Sequence, residues 1–180
     1  MKTLFNHRSS LFAKISCLAL ILSLSSYSLC LGQAYQKGDN LLNLGVGIGG
    51  TYGMPIGLSF EHGFSDKISG GVYLGYASKE ENFGFAAWKW MHLLGVARAS
   101  YHFNFNVENL GPYAGVILGY NYAKGEWSNG AGGNWATPSA GGVVYGGHVG
   151  ARYLFSSSFG IFAELGYGLG NVNAGITFKL

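Results

Sequence analysis

Apolar and polar positions alternate with a period of two over most of this chain, and the last ten residues show the pattern at its plainest. In 171–180, Val172, Ala174, Ile176, Phe178 and Leu180 are apolar, while Asn173, Gly175, Thr177 and Lys179 between them are polar or small. Strict alternation of this kind predicts a strand with one greasy and one wet face. Such a strand must be paired on both edges or leave an open template for association.

Seven more segments carry the same signal, at 41–52, 55–63, 68–77, 89–103, 112–122, 142–155 and 159–169. Their apolar faces hold Leu, Val, Ile, Tyr and Phe, and glycine recurs along the opposite faces. No segment shows sustained helical spacing. In 89–103, Leu94 and Val96 fall on the otherwise polar face, which predicts a bulge or a shifted register there. If the strands run up and down, the two longest connections, 78–88 and 123–141, emerge at one end and the shorter turns at the other. Short turns on one side, longer loops on the other and an even strand count are the pattern of an outer-membrane barrel. The small residues of the polar face suit the narrow interior of about eight strands. With few charges and no helix to cover it, the apolar face is read as turned towards lipid, because closure satisfies every backbone donor and acceptor.

The first 32 residues have a different character. Lys2, Arg8 and Lys14 precede an apolar, serine-studded stretch at 15–31, with the small residues Gly32 and Ala34 after it. This predicts a secretory signal peptide spanning 1–32, cleaved near Gly32, and a barrel domain spanning 33–180. The stretch is too short and too rich in serine for a membrane anchor. Both cysteines, Cys17 and Cys30, lie in the leader, so no disulfide framework is expected in the rest. Removing three basic residues from the leader leaves eight basic against eight acidic ones, so the formal charge of +3 belongs to the leader. It is no argument for binding nucleic acid.

With the leader, the glycine-rich alternating strands and the ending from Phe162-Ala163-Glu164-Leu165-Gly166-Tyr167-Gly168 through Ile176-Thr177-Phe178-Lys179-Leu180, the chain resembles the small outer-membrane β-barrel (porin-like) proteins of Gram-negative bacteria. The resemblance covers essentially all of 33–180. It implies an all-β fold: a single antiparallel up-and-down transmembrane barrel of eight strands with both termini periplasmic. It also implies residence in the outer membrane among lipid and lipopolysaccharide, and assembly by the outer-membrane insertion machinery. It implies no shared reaction and no cofactor. Many members end in phenylalanine, whereas this chain ends in Leu180 with Phe178 two residues earlier.

By parity, Glu61, Arg98, Arg152, Glu164 and Lys179, with His102 and His148, share the small-residue face. Charge within a membrane span is a functional hypothesis by default. Here the charges nearly balance and the lumen is narrow, so Glu61, Arg98, His148, Arg152 and Glu164 are read as a network filling it. Arg152 and Glu164, on strands either side of a tight turn, are the expected pair. All four tryptophans fall in or beside the long connections. Trp88 and Trp90 are assigned to an interfacial girdle. Trp127 and Trp135 are assigned to a surface loop as aromatics available to a ligand of unstated identity. Tyr101, Phe103, Phe155 and Phe159 would form a second girdle at the other rim.

Other motifs carry less. Gly45-Val46-Gly47-Ile48-Gly49-Gly50 matches G-x-G-x-x-G, but the residues after it make a turn into another strand, not the helix a dinucleotide site requires. No serine and histidine are placed for lipid chemistry by the strand pattern, and His92, His102 and His148 lack metal-ligand spacing. The expected role is therefore structural or surface-interactive, without catalysis or cofactor. A narrow porin-like channel for small polar solutes and a lipid-modifying enzyme stand as alternatives.

Overall fold

The computed structural model describes residues 34–83, 86–105, 107–127 and 139–180. Eight strands are described: β1 (Asn40–Ile48), β2 (Ile56–Gly63), β3 (Ile68–Phe83), β4 (Ala86–His102), β5 (Leu110–Trp127), β6 (Ser139–Leu154), β7 (Phe159–Tyr167) and β8 (Val172–Lys179). Each is antiparallel to its neighbours, and β8 closes on β1 to complete a barrel. The seam runs from Leu41 opposite Lys179 to Ile48 opposite Val172, so the alternating C-terminal strand has a partner on both sides. The rim carrying Asn40 and Lys179 is termed the lower rim.

Strand length divides the wall in two. β1, β2, β7 and β8 have eight or nine residues, close to what crossing a bilayer requires. β3 to β6 have 16 to 18. β2 accompanies β3 only as far as Tyr76, and β7 accompanies β6 only from Gly147. The upper parts of β3 to β6 therefore stand above the short strands as a four-stranded blade, roughly 20 Å tall at the rise of an extended chain.

This corrects two sequence expectations. The connection placed at 78–88 is a hairpin, paired from Ser78 opposite Met91 to Phe83 opposite Ala86. The connection placed at 123–141 is shortened from both ends, since β5 continues to Trp127 and β6 begins at Ser139. The bulge expected in 89–103 does not form either. β4 keeps a single register with β3 from Tyr101 back to Ala86, and Leu94 and Val96 simply point inward. The leader at 1–32 and Trp135 lie outside the described residues.

The exterior is apolar. Leu74 is 62% exposed, Leu118 61% and Val143 65%, and each faces away from the lumen. A water-soluble domain does not expose apolar surface on this scale, whereas a barrel in lipid requires it. Around the lower rim, aromatic rings touch in sequence. Tyr101 meets Phe103, Phe103 meets Phe105, and on the other side Tyr153, Phe155, Phe159 and Phe178 succeed one another, all at centroid distances of 5.2 to 6.2 Å.

Inside, large side chains lie over glycines on the neighbouring strands. Gly175, Gly45, Gly57 and Gly75 are register partners across β8, β1, β2 and β3. The Phe162 ring covers Gly45, and the Tyr73 ring covers Gly57 and Gly75, so a β-carbon at any of these three positions would collide with an aromatic ring. Glycine on the small face is thus the complement of a few large inward residues.

Candidate functional site: the filled lumen

The inward positions build three levels. The lowest is polar. Glu61 on β2 accepts hydrogen bonds from Asn43 Nδ2 at 3.0 Å and Ser69 Oγ at 3.0 Å. Two guanidinium groups converge on it, Arg152 at 3.4 Å and Arg98 at 3.6 Å. Arg98 also binds Glu164 at 2.6 Å, and the Tyr113 hydroxyl donates to the same Glu164 oxygen at 2.8 Å. Arg152 lies 5.0 Å from the centre of the Tyr113 ring and donates to Asn43 Oδ1 at 3.3 Å, which also accepts from Thr177 at 2.6 Å. Glu61, Arg152 and Thr177 are fully buried or nearly so. Two acids and two arginines offset one another's charge, and neutral donors fill the remaining valences, as burial of ions demands.

His148 stands at the upper margin of this level. Its Nε2 lies 3.2 Å from Arg98 and 3.1 Å from Ser100 Oγ. His102 is at the bottom, with Nε2 2.8 Å from Ser69 Oγ. Because Ser69 donates its proton to Glu61, His102 Nε2–H is the donor in that contact. Among the described residues, His102 Nδ1, Arg98 Nε and Arg152 Nε find no hydrogen-bond partner. A void of about 20 Å³ bordered by Arg98, Glu164 and Tyr73 is large enough for a single water.

Above the ions lies an apolar layer of Leu94, Val96, Ile117, Val144 and Leu169, with Tyr52 and Tyr73 packed against it. Leu169 belongs to the turn between β7 and β8. Gly168 before it adopts φ 114°, a conformation open to glycine, and the chain bends there so that Leu169 is buried within the barrel. The third level, at the upper mouth, pairs His92 with Asn121 at 3.3 Å, and the Tyr52 ring covers His92 at 5.1 Å.

Glu61, Arg98, His148, Arg152 and Glu164 are therefore brought into one buried cluster. Their pairing differs from expectation in one respect: Arg152 takes Glu61, and Glu164 takes Arg98. β6 and β2 sit on opposite walls of the ring, so these bonds cross the lumen instead of joining adjacent strands. Lys179 reaches the lower rim and binds Asp39 at 2.8 Å. The described tryptophans belong to strands. Trp88 and Trp90 lie within β4, Trp127 is the last residue of β5 and not part of a loop, and the register sets Trp88 opposite Trp127. Trp90 is half-buried, in phase with His92 and Leu94 along β4. Among the described residues, Ser69 meets His102 and Ser100 meets His148, and both contacts are enclosed in the lumen away from lipid.

Strand parity alone points Asn43, Ser69, Ser100, Tyr113 and Thr177 inward, so their part in the network was open to sequence reasoning that looked beyond charged residues. Leu169 is a correction: the alternation of 159–169 carried it on as the outward face, whereas β7 ends at Tyr167 and the turn brings Leu169 into the barrel.

A closed eight-stranded barrel, apolar outside and packed with a polar network inside, is a transmembrane barrel of the outer-membrane type. No protein-family model matches the chain, and no curated protein matches it in sequence. Among solved structures, it is similar to the N-terminal β-barrel domain of OprF from Pseudomonas aeruginosa, with 17% identity and a TM-score of 0.53 over 80% of this chain and 98% of that one. The attachment invasion locus protein Ail of Yersinia pestis gives 13% identity and a TM-score of 0.49, covering 80% of this chain and 96% of that one. Neisserial surface protein A gives 14% and 0.48, covering 78% and 91%. The fold is that of the small eight-stranded outer-membrane barrels of Gram-negative bacteria.

Proposed function

We propose that this protein is an integral outer-membrane barrel with a sealed lumen, whose role is structural or surface-interactive and involves no transport or catalysis. The observation that carries the reading is the cross-lumen network of Glu61, Arg98, Arg152 and Glu164 beneath the Leu94–Val96–Ile117–Val144–Leu169 layer. The voids beside Arg98 and Glu164 measure about 20 and 10 Å³, the size of single waters. Residues 1–32 serve as the export leader, both termini lie on the periplasmic side, and insertion proceeds through the outer-membrane assembly machinery into lipid and lipopolysaccharide. The blade of β3 to β6, with Trp88, Trp90 and Trp127, then faces outward as the surface available to a ligand. It takes over as the surface feature from the connection at 78–88, nine of whose eleven residues are strand, and from both ends of the one at 123–141.

Liposome swelling tests the reading. Vesicles carrying the protein should swell in small sugars no faster than protein-free vesicles; rapid swelling would favour the channel. Incubation with labelled lipopolysaccharide should leave the lipid unchanged, and release of labelled acyl chains would favour the enzyme.

A further inference from the structure

Residues 34–39 precede β1 and belong to no strand, yet they are not a loose tail. They lie against the bottom of the lumen. Ala34, Tyr35 and Asp39 are all buried. The Tyr35 ring stacks on His102 with centroids 3.5 Å apart and planes 8° from parallel. Its hydroxyl lies between two rim carbonyls, Ser65 at 2.8 Å and Ile68 at 2.6 Å, which share its single proton. Burial pushes the phenol up to about 12, so the donor keeps its proton at any physiological pH.

The rest of the segment is clamped to the same rim. Asp39 binds Lys179 Nζ at 2.8 Å and accepts from the Gln36 amide at 2.8 Å. Gly38 N–H donates to Gly63 at 2.9 Å, and Gly63 N–H returns a bond to Asp39 at 2.8 Å. Ala34 sits against Gly111, where a β-carbon would come within 2.9 Å of its own. Gly38, at φ 89° with open space around it, provides the bend between this segment and β1.

Directly behind Tyr35 is the His102–Ser69–Glu61 chain, the lowest part of the ionic network. Among the described residues, no other ring approaches His102 as closely: Tyr113 is tilted, at 5.6 Å. On the other side of the network, the apolar layer closes the barrel independently. We propose that residues 34–39 form a stopper for the lower mouth, so that the lumen is closed twice: by the stopper below and the apolar layer above. Without the stopper the lower half of the lumen would be a blind polar pocket, because the apolar layer still bars a through-path. A cavity of about 120 Å³ beside Tyr35, bordered by His102, Asp66 and Asn104, is the space into which this pocket would open. The inference rests on the sealed-lumen reading.

Histidine acylation by diethyl pyrocarbonate, mapped residue by residue on the folded protein in liposomes, tests it. In the wild type, His102 should react at least about tenfold more slowly than in urea-unfolded protein. Tyr35→Ala should raise its rate about tenfold, leave the deeper His148 protected, and leave the vesicles impermeable to ions. Should Tyr35→Ala fail to insert, Gly111→Val provides a second route, because its β-carbon would come within 2.9 Å of that of Ala34 and push the segment off the wall. His102 should then react faster than in the wild type. A wild type in which His102 reacts at the unfolded rate, or a Tyr35→Ala or Gly111→Val protein in which His102 stays as protected as in the wild type, would overturn the stopper while leaving the sealed lumen standing. Ion conductance by the wild type would overturn both.

Discussion

Glu61 is the acid on which both arginines of the lumen converge, together with Asn43 and Ser69. Replacing it with alanine leaves Arg152 buried without an acid and Arg98 with Glu164 alone. Removing one partner of a buried pair costs about 3–5 kcal/mol, and that loss is expected for Glu61→Ala in urea unfolding from lipid vesicles. Tyr113→Phe removes one hydrogen bond to Glu164 and should cost only about 1–3 kcal/mol in the same assay. Equal losses for the two would mean that the network is not centred on Glu61. At this scale the sequence was half legible. A period of two is enough to put Glu61, Arg98, Arg152 and Glu164 on one face. It says nothing about which acid meets which base, because the bonds of Arg152 and Arg98 span the lumen and depend on how the ring closes.

Among the elements, the glycine row across β8, β1, β2 and β3 fixes where Phe162 and Tyr73 can lie. Gly57→Ala drives a methyl group into the Tyr73 ring, which should destabilise by about 1–3 kcal/mol. Combining it with Tyr73→Ala should recover part of that loss, since residues in contact are not additive. Strict additivity in the double variant would show that the ring does not rest on Gly57. The outer face of the same strands carries a separate test. Leu74→Arg places charge on the lipid side and should cost about 2–4 kcal/mol if the position is near the bilayer midplane. A neutral effect would deny that this face meets lipid. The short strands were legible because one side is apolar and the other small. The upper half of β3 was not, because Ser78, Lys79 and Glu80 are all exposed and polar, and alternation vanishes where both faces of a strand are wet. Leu94 and Val96 misled for the opposite reason: an apolar layer inside the barrel breaks the polar phase without breaking the register.

For the whole molecule, closure and filling are distinct properties. Closure depends on the β1–β8 seam, where Ile176 faces Leu44 and Phe178 faces Leu42. Deleting residues 176–180 removes most of the lower seam and should abolish insertion and the heat-dependent shift in gel mobility that marks a folded barrel. A truncated protein that still inserts and keeps that shift would contradict closure there. Filling depends on side chains from all eight strands meeting in the lumen, and it is filling that separates a sealed barrel from a channel. Planar-bilayer recording of the purified wild-type protein tests this most directly. The account requires a flat current trace at all voltages the bilayer tolerates; stable unitary steps that scale with protein inserted would contradict it.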